Sequence, residues 1–414
     1  MNGTPIPVLH FTNSVVRGGA EEHILTLLRK LDRTIFRPLL VCPPECAEKL
    51  RPDLPGDVPV EPLQFQWPYQ IGSALHLAGI LRDYRVGILH SHLFGSSIAA
   101  SPIGWLSRVP VILETPHLRE AWRHGLIKGG YVVDRAVGRC VDHYVAVSDA
   151  NARYLIEEKK LPAKKVHVIH NGCDLKKFEP DRQAPRGMKK SLGFAENDLV
   201  VVVLGRLEPQ KGHRFLLQAH AQVLREVPTV RLVCVGAGTL DQELQNQCRQ
   251  LQIQDSVRFV GYQSNVADWL TLADITVLPS LFEGLPLVAI ESLAAQRCMV
   301  ATAVDGTTEV IINEQTGLTV PPGSAQELAK AVVRLLRQTE LRHRLARAGR
   351  QWVFDHFSEE QQIRKTEELY LRAWDRSPRE MKRNGMGGMA AKRFVRDGDH
   401  AMRVEQPVGA RESR

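Results

Sequence analysis

Short apolar runs alternate with helix-patterned stretches along most of this chain. PIPVLHFTN reads as a strand, Gly18-Gly19 as a turn and AEEHILTLLRKL as an amphipathic helix. FRPLLVCPP, VGILHSH, VPVILETPH, HYVAVSD and KVHVIHNG follow as short β-rich runs that end in polar or turn residues. Between them lie IGSALHLAGILRDY and SDANARYLIEEKK, which are apolar at helical spacing. Such β-α-β alternation predicts a parallel sheet covered by helices on both faces. From Lys176 to Asp198 the pattern gives way to charge, Pro and Gly, which predicts a linker and a short lead-in helix. A second series then runs through DLVVVVLGR, VRLVCVGAG, VRFVGY, ITVLPS and CMVATAV. The expected fold class is therefore α/β: two doubly wound Rossmann-like domains, residues 1–178 and 192–357, joined near Phe178 to Ser191. The cleft where they face each other is the expected ligand site. SEEQQIRKTEELYLRAW predicts a final helix over 358–375, and residues 376–414, without apolar periodicity, predict a disordered tail.

Composition narrows the function. The chain has 414 residues, 43% hydrophobic and 24% charged, as globular proteins do. Its formal charge is +8, but ten Lys/Arg against five Asp/Glu between Arg376 and Arg414 put five of those charges in the tail. The body is only mildly basic, so nucleic acid is not an expected partner. The seven cysteines are scattered, with no CxxC pair, which points to a reducing cytoplasm and against a zinc site. No segment reads as a secretory leader or membrane span, so the expected location is cytoplasmic. The stretch Leu118 to Arg139 places Arg119, Arg123, His124, Lys128, Arg135 and Arg139 on a helical frame. That is either a solvated face or a peripheral contact with anionic lipid on the inner face of the membrane.

The chemistry concentrates at strand ends. LFEGLPLVAIESLAA follows the apolar run ADITVLPS and carries Glu283 in a breaker-rich loop and Glu291 on the helix after it. Ligands of open α/β folds bind beyond the carboxyl ends of such strands. Taken alone, the two acids could equally be solvated surface groups. After VVVVLGR, Gly205-Arg206 and Lys211 set two cations at a strand end, a pair suited to a diphosphate. Gly236 and Gly238 follow the next strand, where they make either a tight turn or a close approach to a nucleotide. Gly18 and Gly19 open the first helix, where backbone N–H groups can meet a phosphate or simply begin the helix. His117 ends VPVILETPH and faces the cleft, whereas His90 and His92 end VGILHSH and read as structural. There is no nucleophile elbow and no Asp-x-Asp pair for a divalent ion, so neither a metal nor any other cofactor is expected.

In order along the chain, GGAE at Gly18, TPH at Thr115, AVSD at Ala146, HNGCD at His170, GRLEPQKG at Gly205, VGAG at Val235, FVGY at Phe259, FEGLPLVAIE at Phe282, AVDGTTEVI at Ala303 and TGLTVPPG at Thr316 resemble the retaining glycosyltransferases of family 4. The resemblance covers the chain from the first strand to about Trp374 and implies the GT-B architecture. It implies that Arg206 and Lys211 hold the donor diphosphate and that Glu283 binds hydroxyls of the donor sugar. By the same resemblance, Glu291 binds the ribose and Gly284, Leu285 and Pro286 offer backbone contacts. Gly18, Gly19, Gly205, Gly236, Gly238, Tyr262, Leu287 and Val288 complete the implied donor site, His117 lies by the donor sugar, and the final helix crosses back onto the first domain. The implied reaction moves a sugar from a nucleotide sugar, UDP first and GDP next, to a hydroxyl of a glycan or lipid-linked acceptor. Polysaccharide, lipopolysaccharide or glycolipid synthesis would be its setting. Asp305 departs from the family pattern, which commonly has Gly there. Two other readings stay open: a sugar-nucleotide epimerase or hydrolase on the same fold, and a non-catalytic sugar-nucleotide-binding partner.

Overall fold

A computed structural model describes residues 4–66, 70–119, 131–179 and 184–377. The tail from residue 378 onward and the centre of the basic 118–139 stretch lie outside the described residues.

The first domain is a seven-stranded parallel sheet. Its strands are β1 (Ile6–Phe11), β2 (Phe36–Cys42), β3 (Val60–Pro62), β4 (Ile88–His92), β5 (Val111–Thr115), β6 (His143–Ala146) and β7 (Val166–Val168), in spatial order β3-β2-β1-β4-β5-β6-β7. The second is a six-stranded parallel sheet of β8 (Leu199–Leu204), β9 (Val230–Val235), β10 (Val257–Phe259), β11 (Ile275–Leu278), β12 (Cys298–Thr302) and β13 (Leu318–Val320), in order β10-β9-β8-β11-β12-β13. The unbroken LVVVVL of β8 reflects a strand covered on both faces, since Val200 through Val203 are all buried. Helix Ala325–Arg337 shows the complementary pattern. Leu328, Val332, Leu335 and Leu336 form its buried stripe, and the Ser324 side chain caps its first turn through the Glu327 N–H at 3.3 Å. The edge strands β3 and β13 are not among the runs read as strands: β3 (VEP) has a single apolar residue beside an acid and a proline.

Both sheets reverse direction of winding at one point, between β1 and β4 in the first and between β8 and β11 in the second. In doubly wound folds the ligand crevice opens beyond the carboxyl ends of the strands at that point. Here the loops after β1, β4, β8 and β11 all line one cleft. The final helix, Glu359–Asp375, returns to the first domain. Glu359 meets Lys30 at 2.6 Å, Glu367 accepts the Asp32 N–H at 2.8 Å, and Tyr370 packs among Val8, Leu27, Phe36 and Ile88. No helix among the described residues is long and apolar enough to cross a membrane.

Candidate active site

The second domain supplies a charged wall. Glu283 sits in the loop between β11 and helix Leu287–Ala294 and is 4% exposed. Its Oε1 meets Lys211 Nζ at 2.6 Å and accepts the Ser280 hydroxyl at 2.6 Å. Its backbone N–H donates to Asp305 Oδ2 at 2.9 Å. Asp305 takes a left-handed φ of 37°, a strained choice for a residue with a Cβ. The carboxylate it thereby delivers anchors the Glu283 loop, a physical reason for the departure from Gly. Arg206 is exposed at the end of β8 and has no ion pair among the described residues. It lines the same cavity as Lys211, Gly205, Glu283 and the backbone of Gly284 to Val288.

That cavity, of about 390 Å³, is closed from the other side by Gly18, Gly19, Glu21 and His117 of the first domain. Gly18 is the N-cap of the twelve-residue helix Gly19–Lys30, its N–H donates to Glu21 Oε2 at 2.9 Å, and this helix N-terminus lines the cavity. A side chain at Gly19 would meet nothing within 4 Å, whereas one at Gly284 would strike the His117 carbonyl at 1.9 Å. Gly284 is thus one place where the two domains touch. A larger chamber of about 940 Å³ adjoins it, sharing Gly18 and Leu287, and holds Glu291, Tyr262, Arg17 and Lys177. The carboxyl of Glu291, half-buried, has no hydrogen-bonding partner among the described residues. Burial and the nearby Glu22 push its carboxyl up to about 7, against a smaller pull from Lys177. On the far side of His117, a groove of about 450 Å³ is lined by Val15, Val16, Leu93, Phe94, Pro116 and Leu118. Leu93 holds a φ of 70°, a strained backbone at the mouth of both spaces.

Gly236 and Gly238 line neither chamber. A Cβ at Gly236 would lie 2.0 Å from the Gly205 carbonyl and one at Gly238 2.4 Å from that of Leu207. Their bareness lets neighbouring backbone pack close and shapes the Arg206 loop.

The first domain contributes a wall of histidines. His10, His23, His90, His92 and His117 are each 5% exposed or less. Ring nitrogens of His10, His90 and His92, and of His23, His92 and His117, lie within 4.8 Å of one another, as metal ligands can. These nitrogens are largely committed elsewhere. His90 contacts Tyr370 and Thr115, each at 2.6 Å, and His92 bridges His10 and His117, each at 3.2 Å. A hydrogen-bonded network accounts for them. The third such set, Asp149, His170 and Glu309, is a domain latch. Glu309 accepts the N–H groups of Asp149 and Ala150 at 3.0 and 2.9 Å and pairs with His170 at 2.9 Å. Burial would raise the Glu309 carboxyl, but His170 and the two N–H groups hold it below the usual carboxylate value. Sequence reading passed over Arg17, Ser280, Glu309 and the depth of the histidine wall. GGAE and TEVI held hints of the first and third, but the partners lie far away along the chain.

Known proteins agree with this architecture. The profile of Glycosyl transferases group 1 matches residues 186–352, and that of Glycosyltransferase Family 4 matches residues 17–177. The chain is 24% identical over 305 residues to an Escherichia coli UDP-Gal:alpha-D-GlcNAc-diphosphoundecaprenol alpha-1,3-galactosyltransferase, covering 72% of this chain and 79% of that one. It is 29% identical over 322 residues to glycogen synthase of Mycobacterium tuberculosis, covering 74% and 75%. The crystal structure of a Rickettsia africae glycosyltransferase superposes with a TM-score of 0.78 at 20% identity, covering 91% of this chain and all of that one. Anabaena HepE, solved with UDP and glucose, superposes at 0.77 and 20% identity, covering 89% of this chain and 100% of its own. Fold and cleft define a two-domain GT-B glycosyltransferase. The chain belongs to the group 1 glycosyltransferases, with the first domain of the family 4 type.

Proposed function

We propose that this protein is a retaining, metal-independent hexosyltransferase that uses a UDP-sugar donor and a glycan or lipid-linked acceptor. One observation carries the reading. Arg206 and Lys211 stand in the smaller chamber beside Glu283, and that chamber opens into the one holding Glu291. A nucleotide sugar laid along the cleft puts its sugar at Glu283, its diphosphate at the two cations and the helix N-terminus, and its ribose at Glu291. The relatives that name a donor or bind one favour UDP. As the bond from the anomeric carbon to phosphate breaks, the cations and N–H groups stabilise the leaving diphosphate, a role that elsewhere falls to a metal ion. The acceptor oxygen bonds the same face of that carbon, and its proton passes to the leaving phosphate oxygen. The groove beyond His117 admits the acceptor, and its apolar lining suits a lipid-linked one. A polysaccharide, lipopolysaccharide or glycolipid pathway on the inner face of the membrane is the corresponding setting.

The test is a thermal-shift screen of UDP-glucose, UDP-galactose and GDP-mannose in EDTA, followed by label transfer to membrane glycolipid extracts. A donor at a hundred times its Kd should stabilise the protein by about 2.7 kcal/mol. No shift from any nucleotide sugar in EDTA sinks the reading. Full-rate donor breakdown without acceptor would favour a hydrolase or epimerase instead.

A further inference from the structure

His10, His92 and His117 form a chain of imidazoles from the sheet interior to the cleft. His10 Nδ1 lies 3.2 Å from His92 Nε2, and His92 Nδ1 lies 3.2 Å from His117 Nε2. The rings stack, with centroids 5.4 Å apart for the first pair and 5.5 Å for the second. Burial pushes His10 down to about 3 and holds His92 and His117 well below the usual imidazole value. Each ring is therefore neutral and carries one N–H, so every contact needs one donor and one acceptor.

Such a chain can run in two directions. In one, each Nδ1–H donates to the next Nε2 toward the cleft, and the ring left over at the buried end is a bare His10 Nε2. In the other, every Nε2–H donates inward, and His10 Nε2–H is left over. His10 Nε2 is buried and has no partner. A buried N–H without an acceptor is a rarer and costlier orphan than a bare lone pair. The buried end therefore selects the outward direction.

We propose that His10 and His92 are positioning residues that fix the tautomer of His117, so that His117 presents Nδ1–H to the cleft as a hydrogen-bond donor and not as a base. His117 lines the chamber of Glu283 and Lys211, and its Nδ1 has no partner among the described residues. The glycosyltransferase reading gives this its meaning. An N–H facing the reacting centre can bind a hydroxyl oxygen of the donor sugar or acceptor, but it cannot remove the acceptor proton. The leaving phosphate must take that proton.

The experiment uses full-length protein labelled with 15N-histidine and long-range proton–nitrogen correlation, with His117 assigned by its loss in His117→Gln. The expected spectrum shows the His117 proton on Nδ1. In His10→Asp a carboxylate oxygen replaces the His10 Nδ1 as an acceptor, the chain reverses, and the His117 proton moves to Nε2. A wild-type proton on Nε2, or an unmoved proton in folded His10→Asp, overturns the proposal. Should His10→Asp fail to fold, the wild-type spectrum decides alone. The measurement needs no substrate, and the UDP-glucose thermal shift reports separately on whether the cleft is a donor site.

Discussion

The two ends of the cleft are built on opposite plans. At the Glu283 end the buried acid is already engaged: Lys211 and Ser280 hold one carboxylate oxygen, and Asp305 holds the loop's N–H, leaving Arg206 as the cation without an ion pair among the described residues. At the Glu291 end a half-buried carboxyl lines the chamber without a protein partner among the described residues and is pushed up to about 7. The first end is preorganised, so no reorganisation is needed when charge develops on a leaving group. The second faces the larger chamber, where, on the proposed function, paired hydroxyls of the donor would meet the carboxyl. The difference separates a place where geometry must be fixed in advance from one where binding itself supplies the missing hydrogen bonds.

The largest effect should come from breaking the preorganised end. Lys211→Ala removes the cation of a pair whose carboxylate is 4% exposed. Steady-state kinetics should show kcat for sugar transfer falling at least about a hundredfold. Chemical denaturation should show a loss of about 3–5 kcal/mol, because Glu283 is left as a buried charge without its partner. Near-normal stability and turnover together would erase the contrast between the two ends.

The next effect has the opposite sign for stability. The folded value of Glu291, about 7, lies above the ordinary 4.5, so its ionised form opposes folding. That penalty is absent below about pH 4.5, grows as pH rises and is complete above about pH 7. Glu291→Gln should therefore raise stability at pH 8 by up to about 3 kcal/mol and leave it unchanged at pH 4. The same variant should bind UDP about tenfold more weakly, a cost of about 1.4 kcal/mol read by calorimetry. If Glu291→Gln melts earlier than wild type at pH 8, the carboxyl is not an unsatisfied one.

The smallest effect is expected at Asp305. Asp305→Gly relieves the left-handed φ of 37° but loses the acceptor for the Glu283 N–H. Each change is worth about 1 kcal/mol, so the melting temperature should barely move. Loosening of the Glu283 loop should instead appear as a few-fold drop in kcat. A drop as large as that of Lys211→Ala would show that the loop, more than the ion pair, is what must be held.

The doubly wound halves were legible because their cause is local. Strands such as LVVVVL and helices such as AEEHILTLLRKL carry their burial pattern in consecutive residues. Arg206, Lys211 and Glu283 follow strand ends that turn chemistry marks, and Glu291 falls on the helix that comes next, so their positions too were local in sequence. Gly236 and Gly238 mark the limit, because a glycine that lets a ligand approach and one that lets a neighbouring backbone approach look identical in sequence.

Local pattern in the chain set the two sheets, the strand-end and helix positions of the cleft's charges and the order of the motifs. Tertiary structure alone decided what each group does there. Lys211 and Glu283 are 72 positions apart and meet at 2.6 Å, while His92 becomes the middle of a chain between His10, 82 positions away, and His117. Burial and hydrogen-bond direction depend on which residues arrive from other strands. No local pattern records that, so the unpaired state of Glu291 and the tautomer of His117 belong to the fold.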